Sequence, residues 1–205
     1  MKILGVLGSP RKNGNSDLLL DEALKGARSK GAQVEKICLY DLNFKACIAC
    51  NGCDNTGECV LKDDMTPLYD KLRAADGIII AAPIYFAGIP AQLKAMIDRC
   101  QSEWVAKYVL KSGRQSGDRS GPVTIFPSDL SPRRSGAFMS VSGFKRNIFF
   151  EAAKKPIEAF FKTMNIDFSD ELFFAGVENK GDIKNIKGAL EKACNLGVEI
   201  AKGDL

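Results

Sequence analysis

The sequence predicts an α/β fold in which a five-stranded parallel sheet is covered by helices on both faces. Apolar runs of strand length alternate five times with segments of helical periodicity, which is typical of such a sheet. The 205 residues suffice for one sizeable core and are few for two. Right-handed crossovers between parallel strands then leave few topologies. We therefore expect a single domain over residues 1–205.

The first three elements follow from local patterns. The apolar run at 2–8 ends in Gly-Ser-Pro, as expected of a buried strand followed by a turn. Residues 15–30 place apolar side chains at helical spacing, and Asn15 or Ser16 can cap that helix. Residues 33–39 predict the second strand.

The middle of the chain holds a loop followed by the most strand-like run. Residues 44–62 are polar, contain glycine and are dense in cysteine, which predicts a loop. A short helix is expected at 66–75. The run GIIIAA at 77–82 predicts the third strand, and a helix follows at 90–99, with Pro90 suited to its first turn.

An irregular excursion is expected at 101–135, because much of it is rich in Gly, Ser, Pro and Arg. Its first ten residues can continue the preceding helix, and residues 123–126 can form a short extension strand. The fourth strand is predicted at 137–141. A helix at 149–164 follows, interrupted early or started by Pro156.

A fifth strand at 168–177 and a closing helix at 183–201 complete the alternation. In a doubly wound sheet of order 2-1-3-4-5, strands one and three flank the point where the winding reverses. Ligands bind there, beyond the carboxyl ends of the strands. The loops after these two strands are therefore the first places to look for function.

Composition excludes several classes of function. The formal net charge is only +4, with basic and acidic residues mixed along the chain, which argues against nucleic-acid binding. No apolar run is long enough to span a membrane and no signal peptide is recognised, so we expect a cytoplasmic protein. The chain has no histidine, which excludes Ser-His and Cys-His nucleophiles and histidine-ligated metals.

The loop after the first strand suits a phosphate monoester. Backbone N–H groups at a helix N-terminus point outward, and the helix dipole favours negative charge there. Ser9, Asn15 and Ser16 add short polar side chains, and Arg11 adds a planar charged fork. Neither a Walker A ending nor GxGxxG is present, which argues against a nucleoside-triphosphate or dinucleotide loop. The alternative is a turn that simply caps the helix.

The loop after the third strand should face that phosphate-type loop across one crevice. Tyr85 and Phe86 can line a flat aromatic ring, while backbone groups meet its polar edge. The alternative is that both aromatic side chains pack in the core or on the surface.

Four of the seven cysteines form the pattern C-x2-C-x2-C-x5-C. Cys-x2-Cys spacing suits a cubane, in which each thiolate must reach a different corner. One [4Fe–4S] cluster is therefore our interpretation, with Cys47, Cys50, Cys53 and Cys59 as its ligands. Unligated thiols, a zinc site and disulfides are the alternatives. The other three are expected to be small buried apolar residues: Cys38, Cys100 and Cys194.

These segments carry a family likeness. GSPRKNGNSDLLL together with PIYFAGIPAQLKAMIDR resembles the NADPH-dependent FMN reductase group of the flavodoxin-like superfamily. The segment from Cys47 to Cys59 is similar to that of the iron–sulfur flavoproteins within the group. The resemblance implies a flavodoxin-like, doubly wound sheet of order 2-1-3-4-5. It also implies a homodimer or homotetramer, with the neighbouring subunit expected near Trp104 and Tyr108.

The resemblance further implies an FMN site. The residues expected to hold the phosphate are Ser9, Arg11, Asn15 and Ser16. Those expected along the isoalloxazine are Pro83, Ile84, Tyr85, Phe86 and Gly88. Ser140 and Gly143 would close the third side. No side chain is expected to be the reactive group, because the reactive atom is N5 of the flavin.

Three functions follow from these features. The first is an iron–sulfur flavoprotein that transfers electrons between FMN, a [4Fe–4S] cluster and a small carrier such as ferredoxin. The second is an NAD(P)H-dependent reductase of flavin or quinone that has no cluster. The third, ranked last, is a regulatory module that binds flavin or zinc. A set of basic residues could attract an acidic partner, but we interpret it mainly as solvated surface: Lys111, Arg114, Arg119, Arg133, Arg134, Lys145 and Arg146.

Overall fold

A five-stranded parallel sheet forms the centre of the protein, with the strand order β2-β1-β3-β4-β5. The computed structural model describes residues 1–110 and 134–203. The predicted flavodoxin-like fold class and strand order are confirmed. The strands are β1 (Lys2–Leu7), β2 (Gln33–Cys38), β3 (Gly77–Pro83), β4 (Arg134–Ser142) and β5 (Ile166–Ala175).

Helices cover both faces of the sheet. Two of them pack on one face, where their apolar side chains form a core with Ile3, Leu7 and Ile79. Three others pack on the opposite face, against Leu4, Val6 and Ile80. No helix of the described residues is long and apolar enough to cross a membrane. The first pair is α1 (Asn15–Ser29) and α6 (Ala189–Lys202), the second group includes α2 (Met65–Ala74), α3 (Ala91–Arg99) and α5 (Ile148–Thr163), and α4 (Gln101–Val105) follows α3.

The helices α1 and α6 cross at two glycines. A Cβ atom on Gly26 would lie 2.0 Å from the carbonyl oxygen of Cys194, and one on Gly197 would lie 1.8 Å from that of Ala23. Both distances are far below contact, so only glycine allows this approach. The crossing holds the N-terminal helix against the C-terminal one on the same face of the sheet.

Several boundaries differ from the sequence predictions. The first ten residues of the predicted excursion at 101–135 are helical, as the sequence analysis allows, but β4 begins at Arg134, three residues earlier than predicted. The Arg134 side chain is half-buried and donates hydrogen bonds to the carbonyls of Leu72, Ala75 and Met164, at the C-terminal ends of two helices. It is therefore a helix cap and not part of a solvated basic surface.

Two helices also differ. The helix α5 continues through Pro156, since its buried apolar face holds it on the sheet. The closing helix starts at Ala189 and not at Ile183, because Gly188 adopts a left-handed conformation (φ 74°) that ends the preceding turn. The extension strand expected at 123–126 and the basic residues of 111–133 lie outside the described residues.

A buried arginine closes the base of the cysteine-rich loop. The Arg99 side chain is fully buried, and its Nη1 and Nη2 form a two-pronged contact with the Asp63 carboxylate at 2.7 and 3.1 Å. The same two nitrogens donate to the carbonyls of Lys45 (2.8 Å) and Leu61 (3.2 Å), which lie on either side of the four cysteines. One guanidinium therefore holds both ends of the loop.

Asp63 is held in its charged form. Burial alone would raise the pKa of Asp63, but hydrogen bonds from Arg99 and from the amides of Lys45 and Met65 outweigh it and keep that pKa below its usual range. Asp63 comes shortly before α2, and from the sequence alone we interpret it as a negative charge that complements the N-terminus of that helix. The structure shows that Asp63 is the partner of a buried cation.

We expect Asp63→Asn to destabilise the protein by about 3–5 kcal/mol at neutral pH, since it leaves Arg99 buried without a counter-charge. The folded-state pKa of Asp63 is lowered, so its contribution is present above the unfolded value of about 3.9 and is lost as pH falls through the folded value. Urea unfolding from pH 7 to pH 3 should show the free energies of unfolding of variant and wild type converging below about pH 4.

The matched control is Asp64→Asn. Asp64 is exposed and accepts a hydrogen bond from the Asn43 amide at 2.7 Å, so its loss should cost about 1 kcal/mol or less. If the deficit of Asp63→Asn stays the same at every pH, the ion pair does not supply the stability.

Candidate functional site

A polar crevice opens at the carboxyl ends of the central strands. Leu7 is paired with Ala81 and Pro83 with Val141, so the loops that follow β1, β3 and β4 leave the sheet at one edge. They enclose a cavity of about 230 Å³. Its lining consists of Ser9, Arg11, Asn15, Ser16, Pro83, Ile84, Tyr85, Val141, Gly143, Val177 and Glu178.

The N-terminus of α1 forms one wall of this cavity. Gly14 occupies the N-cap position, so this position supplies no side-chain hydrogen bond to the first turn of the helix. Ser16 is 2% exposed, and its Oγ is buried without a hydrogen-bond partner in the described part of the chain. An uncapped helix N-terminus beside a free hydroxyl is a binding site for an anion with several oxygens. These residues fit the phosphate of FMN.

Arg11 and Ser9 complete the phosphate side. The Ser9 hydroxyl accepts a hydrogen bond from the Arg11 amide at 3.3 Å, which shapes the turn. The Arg11 guanidinium is exposed and makes one long contact, 3.4 Å, with the carbonyl of Glu178. Its positive charge lies on the cavity lining together with the positive end of the α1 dipole. Both therefore favour a negatively charged ligand.

Asn15 lines the cavity but uses its side chain elsewhere. Its Nδ2 donates to the carbonyl of Asn179 at 2.8 Å, and its Oδ1 accepts from the amides of Gly181 and Ile183 at 2.9 and 3.2 Å. The carboxamide therefore fastens α1 to the loop after β5. Asn15 therefore stays a predicted phosphate residue through its place on the cavity lining, with its backbone amide at the start of α1 and not its carboxamide as the available donor.

The loop after β3 ends in a tight turn. Tyr85 and Gly88 exchange two backbone hydrogen bonds of 2.9 and 3.0 Å. The two residues between them, Phe86 and Ala87, are both left-handed, with φ of 46° and 64°. Glycine or asparagine normally occupies such positions, so this turn stores strain, as backbone at ligand sites often does.

The turn changes two of the predicted flavin contacts. Tyr85 lines the cavity, but Phe86 is fully exposed and projects from the protein, and Gly88 is not part of the lining. The turn reverses the chain within two residues, so its tip moves away from the crevice. Pro83 and Ile84 remain on the lining, since the Ile84 amide is bound to the carbonyl of Val141 at 2.8 Å.

Ser140 is placed differently from the prediction. It is fully buried, and its Oγ donates to the carbonyl of Ala82 at 2.8 Å, which ties β4 to β3. Its neighbour Val141 and the predicted Gly143 line the cavity instead. Sequence reasoning also missed Val177 and Glu178. Their position just after the fifth strand is the signal that could have found them.

The four clustered cysteines line a second, smaller pocket of about 50 Å³. Cys47 and Cys50 are exposed, whereas Cys53 and Cys59 are half-buried. Ala49 and Asn51 are left-handed, with φ of 52° and 57°, so the chain winds tightly between the first three thiols. Arg99, Gln101 and Ser102 form the wall on the protein side.

The four thiols line one pocket, but their side chains are not arranged as a metal-binding site. No group of three or more Cys, Asp or Glu side chains lies close enough to hold a metal ion within residues 1–110 and 134–203. Burial and the nearby Asp54 raise the pKa of the Cys53 thiol.

The pocket wall nevertheless fits an anionic centre. Arg99 Nε and Ser102 Oγ are both buried and have no hydrogen-bond partner in the described residues. Each can donate to sulfur, and the arginine adds a positive charge. The pocket and these two donors suit a thiolate-ligated cluster, whose net charge is negative.

Gly57 fixes the far end of the cysteine loop. It is left-handed (φ 71°), and a Cβ atom there would lie 2.8 Å from the Cβ of Ala106. Only glycine satisfies both conditions. Arg99 at the base and Gly57 at the tip thus hold the loop against the helical segment that follows α3.

Comparisons with known proteins agree with this arrangement. A model of the NADPH-dependent FMN reductase family matches residues 1–148. An iron–sulfur flavoprotein of Methanocaldococcus jannaschii is 32% identical in an alignment of 209 positions that covers 98% of this chain and 96% of that protein. One from Archaeoglobus fulgidus is 42% identical over 140 residues, covering 68% of this chain and 61% of that protein.

A solved structure shows the same fold. The NAD(P)H:quinone oxidoreductase from Methanothermobacter marburgensis superposes with a TM-score of 0.67 at 16% identity, covering 98% of this chain and 96% of that one. The family match spans β1, β3 and β4, whose loops build the polar crevice. The chain belongs to the NADPH-dependent FMN reductase family that includes the iron–sulfur flavoproteins, and it is an FMN-dependent oxidoreductase.

Proposed function

We propose that this protein is an iron–sulfur flavoprotein that transfers electrons between FMN, a [4Fe–4S] cluster and a small carrier protein such as a ferredoxin. The observation that carries the proposal is that Cys47, Cys50, Cys53 and Cys59 line one pocket. Relatives that cover most of this chain bear the name iron–sulfur flavoprotein. When bound, FMN exchanges electrons in pairs or singly, and the cluster exchanges them one at a time.

The residues of the chain supply binding and orientation. The uncapped turn of α1, the Ser16 hydroxyl and Arg11 hold the phosphate. Ile84 and Tyr85 flank the ring, and the tight turn fixes their backbone. The helix α3 begins just after this turn and ends at Arg99, in the wall of the cysteine pocket. At about 1.5 Å per residue its nine residues span about 13 Å, so one short helix connects the two sites.

The surface supports two kinds of protein contact. Ile48 and Val60 are 62% and 53% exposed beside the cysteine pocket, which offers an apolar docking surface for a carrier close to the cluster. Exposed aromatic side chains at Phe86, Trp104 and Phe144 support the proposal of a homodimer or homotetramer. We place the protein in the cytoplasm, where its thiols stay reduced.

Iron analysis tests the cluster. Protein purified without oxygen should contain about four iron and four sulfide per chain and show a broad absorption shoulder that dithionite bleaches. Cys50→Ala should lose most of the iron because it removes one of the four proposed thiolate ligands. The matched control is Cys194→Ala on α6, which packs on the opposite face of the sheet and should retain full iron content. Wild-type protein that contains flavin and no iron would refute the cluster.

FMN binding tests the phosphate cavity. A hydrogen bond to a charged group contributes about 1.5–3 kcal/mol, so Ser16→Ala should weaken FMN binding about ten- to hundredfold. Riboflavin lacks the phosphate, and its affinity should be unchanged. Fluorescence quenching measures both. Ser29→Ala at the other end of α1 is the control, since its Oγ bonds to the carbonyl of Gly26 far from the cavity. An equal loss for FMN and riboflavin would contradict this placement.

The second candidate is an NAD(P)H-dependent reductase of FMN or quinone without a cluster. It is favoured by the separation of the thiols, which form no metal-ligating group in the described residues. In this candidate function, only the residues of the polar crevice would take part in the reaction.

Anaerobic mixing with a nicotinamide separates the two candidates. If the protein is a reductase without a cluster, NADPH or NADH should bleach the absorption of the bound flavin. A quinone added afterwards should restore the oxidised spectrum. The alanine variant at Cys50 should retain that activity fully. Bleaching only by a reduced carrier protein, and its loss in Cys50→Ala, would exclude the plain reductase.

A further inference from the structure

Buried polar atoms without a partner are concentrated at the two pockets. Four side-chain atoms of the described residues are buried with no hydrogen bond: Ser16 Oγ, Asp17 Oδ1, Arg99 Nε and Ser102 Oγ. Asp17 pairs with Lys36 as an ion pair, and Ser16 lines the phosphate cavity. The other two both belong to the wall of the cysteine pocket. Buried polar groups are nearly always satisfied, so this pair requires an explanation.

Arg99 cannot satisfy its Nε by moving. Both terminal nitrogens are fixed by Asp63 and by the carbonyls of Lys45 and Leu61, and the side chain is fully buried. The Nε–H is therefore left over on a side chain that has no freedom to turn toward water. A guanidinium has donors only, so whatever satisfies the Nε must be an acceptor.

Ser102 lies next to this donor along the helical segment. It is 1% exposed and lies three residues after Arg99, and residues at that spacing share one face of a helix. The backbone continues helically across the junction of α3 and α4, since the Cys100 amide bonds to the carbonyl of Met96 and the Trp104 amide to that of Cys100. A serine hydroxyl rotates to suit its partner. Both orphan donors thus belong to one face and one pocket.

We propose that Arg99 Nε and Ser102 Oγ donate hydrogen bonds to the sulfur atoms of the cluster bound by Cys47, Cys50, Cys53 and Cys59, and thereby raise its reduction potential. This inference rests on the proposed function. The cluster gains one negative charge when it accepts an electron, with no bond made or broken. Donors on its sulfurs stabilise the reduced form more than the oxidised one. In this proposal Arg99 and Ser102 adjust the reduction potential of the cluster and do not themselves react.

The test is Ser102→Ala in the anaerobically purified holoprotein. We expect the equilibrium constant for reduction of the cluster to fall about three- to tenfold relative to the wild type. Dithionite titration followed by electron paramagnetic resonance measures it. At 59 mV per tenfold for one electron, this shift is about 28–59 mV. The flavin couple in the same sample should not move, because Ser102 is not on the lining of the polar crevice. Ser102→Thr keeps the hydroxyl and should restore the wild-type potential.

A second measurement separates this role from a structural one. Without the cluster, the Ser102 hydroxyl has no partner among residues 1–110 and 134–203, so Ser102→Ala should leave the melting temperature of the cluster-free protein unchanged or raise it. In the holoprotein, the same change should speed the removal of iron by a chelator. Arg99→Lys keeps a charge near Asp63 but lacks the Nε, and its cluster potential should fall in the same direction.

The outcomes are distinct. Absence of iron and sulfide in the wild type overturns both this inference and the cluster itself. A normal cluster whose potential is the same in Ser102→Ala and the wild type overturns the inference alone. Equal destabilisation of the cluster-free protein and the holoprotein, with an unchanged potential, assigns Ser102 a packing role only.

Discussion

The buried ion pair between Arg99 and Asp63 is the contact on which the second half of the site depends. A cysteine-rich loop has little apolar surface of its own, and its backbone must be held from outside. Arg99 does this with two nitrogens that reach the chain before the first cysteine and after the last. Breaking an ion pair on the surface would cost little stability. The Arg99 guanidinium is fully buried, so breaking its pair with Asp63 would destabilise both the loop and the core.

The helix α3 connects this ion pair to the polar crevice. It starts at the strained turn beside the polar crevice and delivers Arg99 to the cysteine pocket. Tyr69 adds a further restraint, since its hydroxyl donates to the carbonyl of Arg99 at 2.9 Å. The distance between the two pockets is therefore set by one rigid element with fixed ends.

Much of the fold could be predicted from sequence because its signals are local. The run GIIIAA at the third strand and the apolar spacing of the first helix depend on near neighbours only. Right-handed crossovers leave few topologies, and the resemblance to a known family supplied the strand order. The site was predictable to the level of its loops for the same reason. The hydrogen bonds of the Asn15 and Ser140 side chains could not be predicted because their partners, at Asn179 and Ala82, are far away in the chain. Arg99 was missed because a lone arginine at a helix end carries no sign of the carboxylate 36 residues before it. In each case the polar residue type was informative, and only tertiary contact decided what it binds.

The Asn15 carboxamide has a consequence for dynamics. It joins the first residue of α1 to a loop 164 residues later in the chain, through three hydrogen bonds. A ligand that orders the start of α1 must therefore also order the segment around residues 179–183, although that segment includes an exposed turn. Local opening of this C-terminal loop and loss of the phosphate from its cavity become one cooperative event. Amide hydrogen exchange of Gly181 and Ile183 would then report how tightly the cavity at the other end of the sequence is filled.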